Sequence, residues 1–367
     1  MRFQDLAPGH SLRIGNRQNS WSVSVKARPL ESARHSPRIG HISTHYSASA
    51  DQSPHRWGLL LAGGDGLRLK ELTRWVCGDD RPKQFCALLD HRTLLETTRQ
   101  RAERSLLADH IVVALTRTHE AYYRNLINPP ATTIIQPFNR GTAPAILYGL
   151  MHIARQDPDA VVSILPSDHY FWPETGFTSG LEKALKIAEQ RPDSIVLLGA
   201  PPKGPEVEYG WIELAEAVAN HSGLYRVQGF REKPPQPVAE ALFKSGCLWN
   251  MFVMVGRVRT FLEIASETVR EVLSALEPHA ATATGESEIE IPDSVYENLA
   301  SVDFSRRVLS SNTGRLLALR LDNVEWNDLG DPYRVLVTLV ERDGELPSWA
   351  KLWPEPADEP RALAANA

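Results

Sequence analysis

Five short apolar runs, rich in Val, Ile and Leu and separated by segments of helical character, constrain this chain more than any other feature. They are WGLLLA (57–62), HIVVALT (110–116), TTIIQP (132–137), AVVSILPSD (160–168) and SIVLLGA (194–200). Between them lie TLLETTRQRAERSLL (93–107), APAILYGLMHIARQ (143–156) and GLEKALKIAEQ (180–190). A strand that is apolar throughout must be covered on both faces, and strands alternating with helices pair in parallel through crossovers. The alternation predicts an α/β chain with a doubly wound, mixed but mainly parallel sheet. Ligands of such sheets collect outside the carboxyl ends of the strands, so the residues just after each run are the candidates for function.

Beyond about residue 200 the pattern changes to longer strands and turns, EYGWIEL, GLYRVQGFREKP and CLWNMFVMVGR, which predict a partly antiparallel subregion laid beside the first sheet. Helical segments near 257 to 278 follow, and a last strand, RLLALRLD (315–322), leads into NVEWNDLGD. The folded body is expected over 56–342, its halves about 56–200 and 201–331. Residues 1–55, rich in Ser, His, Arg and Pro, are expected to form a disordered or loosely docked leader, and 343–367 a peripheral tail.

The 367 residues suffice for a sizeable core, and 42% hydrophobic with 23% charged residues suits an ordinary globular protein. A net charge of -5 argues against a nucleic-acid partner, whose phosphates call for a basic surface. Cys77, Cys86 and Cys247 are too few and too scattered for a disulfide framework or a zinc site with CxxC spacing, which points to a reducing, cytoplasmic setting. No run approaches the ~18 apolar residues that a bilayer span needs, and the first stretch lacks the apolar region of a secretory signal.

The first run ends in LLLAGGDGLRL (59–69). Gly63, Gly64 and Gly66 let bare backbone approach an anion with N–H groups directed at it, although a tight turn after a buried strand has the same composition. The Gly-Lys-Ser/Thr ending of a P-loop is absent, and so is the third glycine of a dinucleotide fingerprint. Arg68 adds a guanidinium suited to polyphosphate. In RPKQFC (81–86), Lys83 offers a compact mobile charge beside Pro82. Asp168 in ILPSDHY and Asp328 in VEWNDLGD each follow a strand, where a carboxylate reads either as a cap or turn residue or as a Mg²⁺ ligand completed by phosphates. In QPFNRGTAPAI (136–146), Gly141 and Thr142 open a helix with Pro144 in its first turn, whose N-terminal N–H groups serve a ligand, a cap, or both.

Taken in order, these elements resemble the sugar-1-phosphate nucleotidyltransferases, most closely the mannose-1-phosphate guanylyltransferases, over about Arg56 to Asp331. The carriers are GGDGLRL, RPKQF, QPFNRGTAPAI and PSDHY, followed by EYGWIE, FREKP, WNMFVMV and WNDLGD. The resemblance implies a Rossmann-like, GT-A-like fold with an inserted sugar-binding subregion. It also implies Mg²⁺-dependent transfer of a nucleotidyl group from a nucleoside triphosphate, GTP favoured, to a sugar 1-phosphate, mannose 1-phosphate favoured. It assigns Ala62, Gly63, Gly64, Gly66, Gln136, Gly141 and Thr142 to the nucleotide, and Arg68, Lys83 and Asp168 to catalysis. Tyr209, Gly210, Glu232, Lys233 and Asn250 fall to the sugar and its phosphate, and Asp168 and Asp328 to Mg²⁺. No nucleic acid or membrane is implied, and a homo-oligomer is compatible.

Two departures stand out. LKELTRWVCGDD replaces a Leu-Trp-Pro-Leu-Ser-like segment, and WNMF replaces WNSG with bulk beside the sugar. The cupin extension of some long relatives is not expected. His169, beside Asp168, is set aside as a base because an ionised sugar phosphate has no proton to give. Two rival readings remain: an inactive nucleotide-sugar-binding relative, which would tend to lose Arg68, Lys83, Asp168 and Asp328, and an oxidoreductase, which needs an acid about 20 residues past the glycines. Asp90 lies near that distance, in a turn into a helix.

Overall fold

The structure, a computed structural model, describes residues 12–16, 19–23, 53–124, 126, 130–280, 287–351 and 353. Within the expected leader, β1 (Leu12–Asn16) and β2 (Asn19–Val23) pair as an antiparallel hairpin. The remainder of that leader up to Gln52, and the tail beyond Trp353, lie outside the described residues.

The five apolar runs fold as β3 (Arg56–Leu61), β4 (Ile111–Thr116), β5 (Thr132–Gln136), β6 (Val161–Pro166) and, after the short β7 (Tyr170–Trp172), β8 (Ile195–Ala200). The second half adds β9 (Gly210–Ala217), β10 (Leu224–Glu232), β11 (Leu248–Arg257), β12 (Glu288–Glu290), β13 (Leu316–Arg320) and β14 (Glu325–Asn327). The helices are α1 (Lys70–Cys77), α2 (Leu94–Ala102), α3 (Glu120–Tyr123), α4 (Thr142–Gln156), α5 (Glu174–Gln190), α6 (Gln236–Lys244), α7 (Val258–Thr268), α8 (Arg270–Ala280), α9 (Asp293–Glu297), α10 (Pro332–Asp343) and α11 (Ser348–Lys351). Among the described residues no helix is long and apolar enough to cross a membrane.

Ten strands form one sheet in the order β12-β5-β4-β3-β6-β11-β8-β13-β10-β9. The pairs from β12 to β6 are parallel, as is β8 with β13. β11 runs antiparallel between β6 and β8, and β10 antiparallel between β13 and β9. The sheet is therefore doubly wound and mixed, parallel throughout from β12 to β6 as the alternation predicts and largely antiparallel beyond. The subregion expected beside the first sheet is instead continuous with it, because β11 is threaded between two strands of the first half.

Both faces are buried, which is why the runs are apolar rather than alternating. Leu59 packs on one face with Val112, Ile164, Tyr148 of α4 and Phe261 of α7. Its neighbour Leu60 packs on the other with Val113, Leu165, Leu95 of α2 and Phe177 of α5. Sequence also marks where α2 begins: Thr93 accepts from the Glu96 N–H at 3.2 Å, and Glu96 accepts in return from the Thr93 N–H at 2.8 Å, a reciprocal cap.

A third apolar cluster joins Leu69, Leu72, Cys86, Leu329, Val335 and Leu339. The atypical segment after Arg68 is thus α1, seated on α10, and it ends at Gly78 in the left-handed region (φ 80°). The Trp75 indole N–H donates to the Trp349 carbonyl at 3.1 Å, so the described part of the tail docks on α1. One expectation is overturned here: Cys77 and Cys86 form a disulfide, with Cα atoms 6.6 Å apart. The turn at Gly78 folds the chain back on itself and brings together two cysteines that spacing alone left unconnected; Cys247 is free and buried.

Candidate active site

The sheet order reverses at β3, whose neighbours β4 and β6 lie on opposite sides. That switch point is where a doubly wound sheet opens a crevice, and the chain leaves β3 into Ala62–Gly66 and β6 into Asp168. The glycine loop is held by its carbonyls. The Gln84 amide donates to the carbonyls of Ala62 (3.0 Å) and Gly64 (2.7 Å), and the Thr116 hydroxyl donates to Gly63 (3.0 Å). Among the described residues, the N–H groups of Gly63, Gly64, Asp65 and Gly66 donate to nothing. A side chain at Gly63 would meet the Gln136 amide at 2.3 Å, and Gly66 is left-handed (φ 61°) against the backbone of Pro82 and Lys83. These glycines are required by close approach, and the result is a row of unspent donors.

Lys83, 8% exposed, reaches under this loop. Its ammonium sits 3.3 Å from Asp168 Oδ2 and donates to the carbonyls of Asp328 and, at 3.2 Å, Leu329. Arg68 leans across the mouth, bonded to Glu208 at 2.9 Å and 4.0 Å from Asp328 Oδ2. Arg81 turns away onto Asp79. Burial raises the pKa of Asp328, but Arg334, Lys83 and His169 outweigh it and hold the carboxyl below its ordinary range. Burial, aided by Lys83 and opposed by Asp168, keeps His169 below its usual pKa. The Trp326 indole donates to His169 Nδ1 at 3.2 Å, so that nitrogen is occupied, which agrees with setting His169 aside as a base.

Lys83 thus meets the Asp168 carboxylate on one side and the Asp328 backbone on the other. Among the described residues no three His, Cys, Asp or Glu side chains gather as a metal cage. A Mg²⁺ ion held by Asp168 and Asp328 would need substrate phosphates to complete its shell, a chemistry this ion accepts. Among the described residues the hydrogen bonds to the Asp328 carboxylate all fall on Oδ1, Arg68 lies 4.0 Å from Oδ2, and Asp168 Oδ1 faces His169 at 3.7 Å, so each carboxylate would have an oxygen to offer an ion.

The sugar-side residues also come together. A side chain at Gly210 would meet Glu232 at 2.7 Å and Asn250 at 3.3 Å, and the Lys233 N–H donates to the Tyr209 carbonyl at 3.1 Å. The Tyr209 hydroxyl donates to Asp328 Oδ1 at 3.3 Å, joining this cluster to the carboxylate pair. Burial and then Asp328 push the Tyr209 phenol up, so it keeps its proton. Phe252 of WNMF is left-handed (φ 57°), a backbone conformation that glycine adopts freely.

Gln136 accepts from the Tyr296 hydroxyl (3.1 Å) and donates to Thr116 (3.2 Å), behind Gly63. Gly141 and Thr142 are engaged in holding the start of α4. A Gly141 side chain would lie 2.4 Å from the Val302 carbonyl, Ala143 N–H donates to that carbonyl, and the Thr142 hydroxyl accepts from the Phe304 N–H at 2.8 Å. The start of α4 is thus held by backbone from the 302–304 segment, with no side chain capping it.

A family model described as Nucleotidyl transferase matches residues 57–337. The chain belongs to that family. A mannose-1-phosphate guanylyltransferase from Klebsiella pneumoniae is 27% identical over 313 residues, covering 82% of this chain and 60% of its own length. Xanthan biosynthesis protein XanB of Xanthomonas campestris pv. campestris is 26% identical over 293 residues, with shares of 78% and 60%. The chain therefore spans about 60% of the length of these curated relatives. A solved structure described as mannose-1-phosphate geranyltransferase from Thermus thermophilus aligns at a TM-score of 0.68 and 29% identity, over 79% of this chain and 80% of that one. Mannose-6-phosphate isomerase from Helicobacter pylori shares the fold alone, at 20% identity, a TM-score of 0.60, and 74% and 99% coverage.

Within this nucleotidyl transferase, four supporting residues escape the sequence reading: Gln84, Thr116, Tyr296 and Arg334. Gln84 follows Lys83 directly in RPKQF, a position that could have marked it, and it is 1% exposed. The other three act through long-range contacts that no local pattern carries.

Proposed function

We propose that this nucleotidyl transferase moves a nucleotidyl group from a nucleoside triphosphate, GTP favoured, to a sugar 1-phosphate, mannose 1-phosphate favoured, with Mg²⁺ held by Asp168 and Asp328. The observation that carries the reading is Lys83, buried between Asp168 and the Asp328–Leu329 carbonyls beneath a loop with unspent N–H donors. The base and sugar preferences rest on the names of the relatives. A phosphate oxygen of the sugar phosphate attacks the α-phosphorus, the bond to the bridging oxygen breaks, and pyrophosphate leaves. The nucleophile is already ionised near neutrality, so alignment and charge neutralisation supply the catalysis. Backbone N–H groups of Gly63–Gly66 bind the triphosphate, Arg68 exchanges Glu208 for phosphate, and Lys83 meets charge that develops at the reacting centre. Bound Mg²⁺ supplies further neutralisation of phosphate charge. Glu232 and Asn250 orient the sugar, and Lys233 meets its phosphate.

The test supplies mannose 1-phosphate and other sugar 1-phosphates with each of the four nucleoside triphosphates, and measures pyrophosphate release. Release that peaks with one pairing supports the proposal; none from any pairing, with nucleotide-sugar binding intact, removes it in favour of a binding protein. Asp168→Asn should cut turnover at least about 100-fold, in the range of lost charge stabilisation, with the melting temperature nearly unchanged.

A further inference from the structure

Arg334 lies in the first turn of α10 with a side chain only 12% exposed, and it bonds in four directions. Nη1 donates to Asp328 Oδ1 at 2.9 Å, Nη2 meets Glu206 at 2.8 Å, and Nε lies 3.3 Å from Asp331. The guanidinium stacks on the Tyr209 ring at 4.6 Å. One side chain thus ties the loop leading into β9 to the loop that carries Asp328 and two carbonyls on Lys83.

The consequence falls on the two oxygens of Asp328. Oδ1 accepts from Arg334, from the Gly330 N–H at 2.9 Å and from Tyr209 at 3.3 Å. It is saturated, and the carboxylate is fixed about its otherwise soft terminal torsion. Oδ2 accepts no hydrogen bond among the described residues, and Arg68 lies 4.0 Å from it. The same guanidinium is a permanent cation in contact with a ligand of another cation, so it also lowers what Asp328 offers by charge.

We propose that Arg334 is a positioning residue that clamps Asp328 as a half-neutralised, single-oxygen ligand, trading affinity for the divalent ion against alignment for transfer. The inference rests on the metal reading of Asp168 and Asp328 given above. A neutral replacement leaves Glu206, Asp328 and Asp331 adjacent and unpaired, which attracts a divalent cation more strongly while the carboxylate loses its fixed orientation. Lysine keeps the charge but not the fork, so only alignment suffers.

The experiment uses the full chain and Mn²⁺ alone as probe, titrated by the electron paramagnetic resonance of the free ion, alongside pyrophosphate release at saturating metal. Arg334→Gln is expected to bind Mn²⁺ at least about tenfold tighter, as a close charge removed from a partly screened site allows, and to turn over at least about tenfold slower. Arg334→Lys is expected to bind Mn²⁺ within about twofold of the parent and still to turn over several-fold slower. A structural role alone would move both readouts of Arg334→Gln downward together. Unchanged or weaker Mn²⁺ binding by a folded Arg334→Gln overturns the proposal. If that variant does not fold, Arg334→Lys decides, and parental turnover by it overturns the proposal equally. Should Asp328→Asn and Asp168→Asn both bind Mn²⁺ like the parent, it is the metal assignment that fails.

Discussion

Burial holds the Glu232 carboxyl at a pKa of about 7 against an ordinary value of 4.5, with Asp303 adding repulsion and Lys233 relieving part of it. Between those values the folded chain holds a proton that the unfolded chain releases. Glu232 therefore favours the fold fully below pH 4.5, and the contribution is lost as pH rises through about 7. The unfolding free energy of the parent, minus that of Glu232→Gln, should fall between pH 5 and 8 in urea titrations and level off above. A difference that does not change with pH over that range would mean the carboxylate is better solvated than its surroundings indicate. Legibility at this scale divides by kind. Lys83, Asp168 and Asp328 stood out as charges at strand ends or in an irregular segment, each open to a structural reading, and only the ordered resemblance to a family gave them, and Glu232, their roles. Arg334 did not stand out, because RVLVTLVER is an ordinary helix face, and only the return of that helix beneath Tyr209 gives its guanidinium a role.

An apolar strand covered on both faces leaves a signature that needs no partner, so β3, β4, β5, β6 and β8 were legible within a residue or so of their ends. The three-residue β7, β12 and β14 leave none, since their register is imposed by neighbours distant in sequence. α1 was hidden for another reason: its sequence is short and carries three charges, and it is seated by laying Leu72 against Leu69, Val335 and Leu339. The disulfide from Cys77 to Cys86 fastens its C-terminal end to the segment that carries Lys83. Closing so short a loop restricts the unfolded chain by about 2–3 kcal/mol in the chain-entropy picture. Cys77→Ser should accordingly lower the melting temperature by several degrees, and dithiothreitol should lower the parent's by a similar amount while leaving the variant's unmoved. Equal melting of parent and variant under oxidising conditions would show that the apolar contacts of α1 hold this corner without the bridge.

At the level of the whole molecule, the two halves expected from sequence, about 56–200 and 201–331, share one sheet. β11 is contributed by the second half, yet it supplies both β6 and β8 with their partner, pairing Met254 with Ile164 on one side and with Leu197 on the other. Its side chains enter both cores, Met254 on the Leu59 face and Val253 and Val255 on the other. A fragment ending near residue 204 would therefore retain every strand of the first half and lack the element between two of them. β6 would become an apolar edge and β8, whose neighbours β11 and β13 both lie beyond residue 204, would lose both partners, leaving surfaces of the kind that recruit other chains rather than water. Topology of this sort could not be read from composition, since β11 resembles any other apolar run until its partners are known. Residues 53–204 expressed alone should fail to give a cooperative thermal transition and should self-associate in sedimentation, whereas 53–353 should unfold in one. A sharp transition and a monomeric fragment would mean that β6 and β8 pair directly when β11 is missing, and that the first half is a folding unit on its own.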